Sequence, residues 1–494
     1  MNAYQQLETL FRQLSRLAHF QALGSWDEAT MMPAGAGDAR ASAMGTLNAL
    51  MHDMLCQDKV GHWLEQALED NSLDQWQYAN AQLMQRRYLQ ATCLPSRLVE
   101  ELTEKSMQAE RAWRHLRAEN NWRDFAPKLE QVFNLVLESA SIRAEVFEKT
   151  PYDILIDQFS PGTTQAIIDP IFASLKQHLP ELIQQIIHKQ QQQPAIKPHG
   201  HFAIETQKIL GMELMQAIGF DFNHGRLDTS HHPFCGGVAS DVRITTRYTE
   251  HEFVSAMMGI CHETGHAMYE RQLPAKWQEQ PVGEALGMTL HESQSLLVEM
   301  QACRSIEFMH FITPKLVHFF GAHDSFTPDN LFRLYTTVQP GLIRVDADEV
   351  TYPLHVILRY EIERDLFAGR LSIGDLPDVW DQKMTEYLGI STKGDYKNGV
   401  MQDVHWPSAG FGYFPAYTLG RLYGAQFYAS ALKKHPEIPQ QIQQGDFTTL
   451  MAWLADHVHG MGSLLPADEL LLSATGSTLA PQFFLEHIHQ RYLA

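Results

Sequence analysis

Apolar residues recur at intervals of three and four through "YQQLETLFRQLSRLAHFQAL", "SRLVEELTEKSMQAERAWRHLRAENN" and "FAPKLEQVFNLVLESASIRAEVFEK", the spacing that lines them along one face of a helix. These segments predict helices over most of the first 190 residues. Patterns that alternate as strands do are nearly absent. The periodicity breaks at "MMPAGAGDAR", at "QFSPGTT" and at the polar tract "KQQQQPAIKPHGH", where Gly, Pro and polar residues favour turns, and the glutamine run reads as a solvated linker. One stretch differs: "HHPFCGGVASDVRITTRYTEHE" carries glycines and then "VRITTRY", whose β-branched and aromatic residues predict a short strand. Beyond it the helical pattern resumes to the end, with no repeat of fixed period. The expectation is a mainly α architecture with a minor sheet, forming one unit over residues 1–494. Two lobes divided near residue 195 are the alternative.

A chain of 494 residues is long enough to bury a large core. Its 44% hydrophobic and 19% charged residues are those of an ordinary soluble globular protein. The formal net charge of −20, from 58 acids against 38 Lys and Arg, argues against nucleic acid and against anionic membranes, since both need clustered cations. The five cysteines are odd in number, scattered and without a C-x-x-C pair, so neither a disulfide framework nor a thiolate metal site is indicated. A reducing compartment fits. The N-terminus lacks the basic patch and uninterrupted apolar run of a signal peptide, and no apolar run reaches the roughly 20 residues that span a bilayer. The expected location is the cytoplasm.

The stretch "CHETGH", Cys261–His266, has the H-E-x-x-H spacing of a metal-binding helix. Thr249 as N-cap with Glu252 three residues on reads as a capping box, with Tyr248 and Phe253 in staple positions, so a helix should start about three turns before the motif. At 100° per residue His262 and His266 stand about 40° apart, one turn apart, and both imidazoles can reach one ion. Glu263 stands beside them. A catalytic site needs a third ligand, and "HESQSLL" offers both His291 and Glu292 on a second helical segment; spacing alone leaves the two tied. Glu299 and His310 are assigned to the surface or to a supporting network, and His251 is too far away to share the ion.

Six motifs occur in order: "HPF" at His232–Phe234, "DVRIT" from Asp241, "HETGH", "HESQS", "IRVDAD" from Ile343 and "GVMQDVHW" from Gly399, with "WDEATMMP" from Trp26 before them. Through them nearly the whole chain resembles the thermostable, Taq-type zinc metallocarboxypeptidases, peptidase family M32. The resemblance implies a saddle-like helical fold with a deep groove, related to angiotensin-converting enzyme and neurolysin. It also implies a cytosolic enzyme, commonly a homodimer, that removes single C-terminal residues from peptides. By that analogy Glu292, not His291, joins His262 and His266 as ligand of Zn2+, with Co2+ an alternative ion, and Glu263 acts as general base.

The related helical peptidases further suggest His405 with Tyr413 or Tyr417 as donors to the developing oxyanion, and Asp403 is read as a carboxylate that orients a metal ligand or His405. A carboxypeptidase must also grip a free carboxylate, which the fork of an arginine suits. Arg344 in "IRVDAD" is the first choice and Arg359, on the helix that Pro353 starts, the second; Arg243 and Arg247 follow. "DVRIT" is read either as an exposed strand edge that binds extended peptide through its main chain or as a structural hairpin. An endo-oligopeptidase on the same scaffold and a non-catalytic metal-binding protein are the competing functions; the second has no reason to carry Glu263.

Overall fold

The periodic segments fold into helices at the places their spacing indicates. In a computed structural model that describes residues 1–494 there are twenty α-helices and one three-stranded sheet. The first helix, Ala3–Thr30, is opened by a capping box in which Asn2 Oδ1 accepts the Gln5 N–H at 2.9 Å and Gln5 Oε1 accepts the Asn2 N–H at 3.1 Å. It buries Tyr4, Leu7, Phe11 and Leu14 in a small core with Val60, Leu64 and Met84 from the helices that follow. Helices Ser96–Ala118 and Trp122–Phe147 pack on each other. The glutamine tract lies between the helices Gln165–Gln190 and Ile204–Ile218, mostly exposed.

A main core of 91 buried residues runs from Ala109 to Tyr492 and draws on helices on both sides of residue 195. Each buried Leu, Ile or Phe contributes about 1.5–3 kcal/mol, so this core dominates the small one. At its centre the helices Tyr352–Phe367 and Phe414–Lys434 are enclosed on nearly all faces. The polar residues among them, such as Arg359 and Glu363, are therefore buried too and must find partners inside. No helix is long and apolar enough to cross a membrane.

The sheet has strand order β1 (Gly225–Thr229), β3 (Asp241–Thr246), β2 (Cys235–Val238), with β1 parallel and β2 antiparallel to β3. "DVRIT" is thus the central strand and not an exposed edge: Val242 is paired with Gly225 on one side and Gly237 on the other. The parallel pairing to β1 is non-local, which is why strand propensity within "VRITTRY" could not show that both edges are taken. The outer strands are β1 and β2. "HPF" and "WDEATMMP" also find a place here, because Phe234 packs on Trp26 at 5.1 Å between ring centroids and ties the first helix to the sheet.

The helix bearing "HETGH" spans Val254–Arg271 and starts four residues later than Thr249 predicts. The Thr249 and Glu250 carbonyls already accept from Gln207 Nε2 and from the Phe202 N–H, so they are not free to begin a helical ladder. Thr249 Oγ1 accepts only the Glu252 N–H, and Glu252 Oε2 accepts from the Ser255 N–H at 3.0 Å. Phe253, fully buried against Phe202 and Phe320, pins the entry. About two turns, not three, precede His262.

Candidate metal centre

His262, Glu263 and His266 project from the Val254–Arg271 helix, and Glu292 from the helix Gly287–Leu296. The two helices approach closely because Gly265 has no side chain: a Cβ there would stand 2.6 Å from Ser295 Cα and 2.7 Å from the Gln294 carbonyl oxygen. Gly420, on the Phe414–Lys434 helix, does the same from the other side, since its Cβ would lie 3.0 Å from Glu292 Cβ. The result is a cluster of one ligand atom each from His262, His266 and Glu292, all within 4.8 Å of one another. His266 Nε2 is 3.6 Å from Glu292 Oε2.

Both histidines are tied back through Nδ1, which leaves Nε2 for an ion. His262 Nδ1 bonds Glu299 Oε2 at 2.9 Å, and Glu299 in turn holds Arg304 at 2.5 Å. Glu299 reaches inward because the chain from Leu297 to Ala302 widens into a π-helical turn, a distortion often found at functional sites. His266 Nδ1 lies 2.6 Å from His291 Nδ1, and His291 Nε2 lies 2.8 Å from Glu270 Oε1. Burial keeps His266 neutral by driving its pKa well down, and the nearby His291 and His262 act in the same sense. Its single proton must then sit on Nδ1 if Nε2 is to face the cluster. His291 therefore accepts at Nδ1 and donates from Nε2 to Glu270, a carboxylate–histidine support extended by one imidazole. With both nitrogens engaged, His291 stands outside the cluster, whose third ligand atom comes from Glu292.

The cluster is short of positive charge. Burial, above all, raises Glu263 to about 7; His262 opposes this, and Glu292 and Glu299 add to it. His262 is at about 9: burial alone would lower it, but the Glu299 hydrogen bond and the charges of Glu292, Glu299 and Glu263 outweigh that. Glu299 is held at about 2 against its own burial by Arg304 and His262. Three carboxylates thus face one guanidinium and one imidazolium, whose proton a bound ion would displace. Two imidazoles and a carboxylate are a donor set for a divalent metal, and such an ion would restore neutrality and draw Glu263 back down.

Across from Glu292 stands a wall of aromatic residues. His405 Nε2 is 3.3 Å from the Tyr417 hydroxyl, and the Tyr413 and Tyr417 rings are 5.1 Å apart. Tyr413 is pushed up to about 12 by burial first and by Glu292 next, whereas Tyr417 is raised by burial first and then by Tyr413 and Tyr352. His405 is lowered to about 4, chiefly by burial, against the pull of Asp403 and with Arg344 and Arg359 adding to the fall. At neutral pH all three are uncharged groups able to donate a hydrogen bond.

Of the four arginines singled out in the sequence, Arg247 is exposed at the end of the central strand and the other three are already engaged. Arg344 donates from Nε and Nη2 to Asp403 Oδ1 at 3.0 and 2.9 Å and from Nη1 to the Tyr352 hydroxyl at 2.5 Å. Arg359 donates to Asp403 Oδ2 at 2.7 Å and to the His355 carbonyl at 2.7 Å. Arg243 is held in the sheet by Asp241 and lies over the Trp26 ring. Asp403 thus holds two cations and is itself kept far below the usual carboxylate range, in spite of its burial, by Arg359 and Arg344.

Sequence reasoning did not single out Glu270 or Arg421, left Glu299 between the surface and a supporting network, which is where it stands, and weighed His291 only as a ligand. Glu299 lies seven residues after Glu292, two helical turns on, and Arg421 four after Tyr417; those offsets were the available signal.

A family model described as Carboxypeptidase Taq (M32) metallopeptidase matches residues 6–492. Thermostable carboxypeptidase 1 of Thermus thermophilus is 36% identical, over 100% of this chain and 98% of that protein. Carboxypeptidase 1 of Bacillus subtilis is 33% identical over 98% and 97%. Among solved structures, Trypanosoma cruzi metallocarboxypeptidase 1 superposes with a TM-score of 0.98 at 41% identity, covering 100% of this chain and 99% of that one. With this agreement over the whole chain and a His–His–Glu cluster at its centre, the chain belongs to the Carboxypeptidase Taq (M32) metallopeptidase family and is a metal-dependent carboxypeptidase.

Proposed function

We propose that His262, His266 and Glu292 hold the divalent ion and that Glu263 is the general base in the release of single C-terminal residues from peptides of broad sequence. The observation that carries this reading is the cluster of three ligand atoms within 4.8 Å, with both imidazoles tied back through Nδ1. A divalent ion there supplies Lewis acidity and makes water easy to deprotonate near neutral pH. Glu263, 6% exposed and next to His262, takes the proton of the attacking water and returns it to the leaving amine. Tyr413, for which Glu292 is the leading influence after burial, donates to the oxygen on which charge develops. Tyr417 and His405 stand behind it. The substrate's C-terminal carboxylate is drawn to the positive cluster of Arg344 and Arg359 beneath these tyrosines.

The two-nitrogen, one-oxygen donor set supports zinc, with cobalt second. We take the chain as one catalytic unit, supported by the core that crosses residue 195. The five unpaired cysteines support a cytoplasmic location, and the net charge of −20 supports peptides rather than nucleic acid as partners. The resemblance to Taq-type enzymes supports a homodimer. Incubating the metal-loaded protein with a free-acid peptide and following products by mass tests the activity. Stepwise loss of single residues from the C-terminus is expected, and internal fragments would point to an endo-oligopeptidase.

A further inference from the structure

Behind the tyrosine wall three arginines meet one acid, and the charges do not balance. Asp403 serves both Arg344 and Arg359. The third, Arg421, is 6% exposed, yet it forms no ion pair. Its guanidinium lies over the Tyr352 ring, 3.7 Å from the centroid, and donates from Nη1 to the Tyr417 carbonyl at 3.2 Å. Its Nε is buried without a partner, and Nη2 is neither bonded nor closed off. No carboxylate is paired with Arg421: Asp403 is taken by the other two arginines. His355, fully buried with both ring nitrogens unpartnered, is lowered to about 3 by burial and by Arg359 and Arg344, and His405 is neutral. Three guanidinium groups against one carboxylate leave two positive charges in a region walled by Tyr352, Tyr417 and Phe414. A buried cation without a partner is costly, and a site for an arriving anion accounts for it.

We propose that Arg421 grips the C-terminal carboxylate of the substrate through Nη2, while Arg344 braces Tyr352, the ring on which Arg421 lies. This rests on the carboxypeptidase reading of the metal centre and adds the residue that selects for a free carboxylate. Its position suits the task. The scissile carbonyl carbon and the terminal carboxylate carbon flank a single residue, and neighbouring Cα atoms are only about 3.8 Å apart, so the clamp must stand close to the ion. Arg421 follows Gly420, which packs against the ligand Glu292, and its guanidinium lies on the Tyr352 ring, which meets Tyr417 of the aromatic wall edge-on at 6.1 Å between centroids. Arg344 has its fork filled by Asp403 and Tyr352; Arg421 is the one whose charge awaits a partner.

The test compares the metal-loaded enzyme and its Arg421→Gln variant on one peptide, as free acid and as C-terminal amide, with metal content and thermal midpoint as folding controls. Wild type should favour the acid. Arg421→Gln should lower kcat/KM on the acid by about 10- to 150-fold, the range of one charge-assisted hydrogen bond, mostly through KM, and the acid-to-amide ratio should collapse. Arg421→Lys keeps the charge without the fork and should recover part of the ratio; it also serves if the glutamine variant does not fold. An unchanged ratio in both variants, or equal losses on acid and amide, overturns the assignment, and collapse of the ratio in Arg344→Gln alone would give the clamp to Arg344. A wild type that treats acid and amide alike would instead refute the carboxypeptidase reading beneath it.

Discussion

Replacing His291 with Ala tests whether it supports the metal centre without belonging to it. In the wild type His266 Nδ1 is 2.6 Å from His291 Nδ1, and His291 Nε2 is 2.8 Å from Glu270. Without the acceptor, the His266 N–H is stranded in a site where His266 is only 8% exposed, and the ring no longer has a reason to keep its proton on Nδ1. An unsatisfied buried donor costs about 1–3 kcal/mol, and loss of a residue that orients a metal-bound histidine typically costs 10- to 100-fold in affinity, about 1.4–2.8 kcal/mol. The two figures agree, so the metal dissociation constant of His291→Ala should rise by about 10- to 100-fold. His291→Gln should do less harm, because its amide can accept from His266 and donate to Glu270. Glu270→Gln, which keeps an acceptor and loses only charge, should cost less than about tenfold. Competition of each variant against a chelator of known affinity measures all three. An affinity equal to wild type in His291→Ala would refute the relay, whereas complete failure to bind metal would make His291 a ligand.

On the aromatic wall, Tyr413→Phe should lower kcat by about 10²–10³ with KM little changed, the cost of one oxyanion donor, and Tyr417→Phe should cost less; steady-state kinetics in which Tyr417→Phe is the worse variant would reverse the two roles. Away from the site, Glu349 is buried where it accepts from His487 Nε2 at 2.9 Å, Arg491 Nη1 at 3.1 Å and the Tyr492 hydroxyl at 3.0 Å, which anchors the C-terminal helix Pro481–Tyr492. Although burial works against it, His487 and Arg491 hold its pKa well below the ordinary carboxylate value. The unfolded chain therefore takes up the proton first, so this stabilisation is complete above about pH 4.3 and is lost as the pH falls further. Glu349→Gln should destabilise the fold by about 3–5 kcal/mol at pH 7 and flatten the acid limb of its stability curve; denaturant melts between pH 3 and 7 that match wild type would contradict this.

The helices, the minor sheet and the pair His262 and His266 were legible in the sequence because each rests on short-range spacing. What escaped depends on contacts between distant segments. The start at Val254 was hidden because the carbonyls of Thr249 and Glu250 are taken by residues some forty positions earlier. The inner place of "DVRIT" followed from a strand with no strong pattern of its own, Gly225–Thr229. Spacing could not separate His291 from Glu292, since adjacent residues on one helix differ only in the face they show and the partner helix decides which face looks inward. Gly265 and Gly420 carried that information, as small residues where two helices must touch. For the arginines, the motif drew notice to Arg344, but only the structure shows its fork closed on Asp403 and the neighbouring Arg421 without an acid.

The most direct test of the account is to measure metal content and kcat together in Glu263→Gln. Glu263 lies beside the ligand cluster but is not one of its three members, so the variant should bind one metal ion per chain with near wild-type affinity while kcat falls by several orders of magnitude. A variant that loses its metal would make Glu263 a ligand, and one that keeps its metal and hydrolyses peptides at close to the wild-type rate would remove it as the general base.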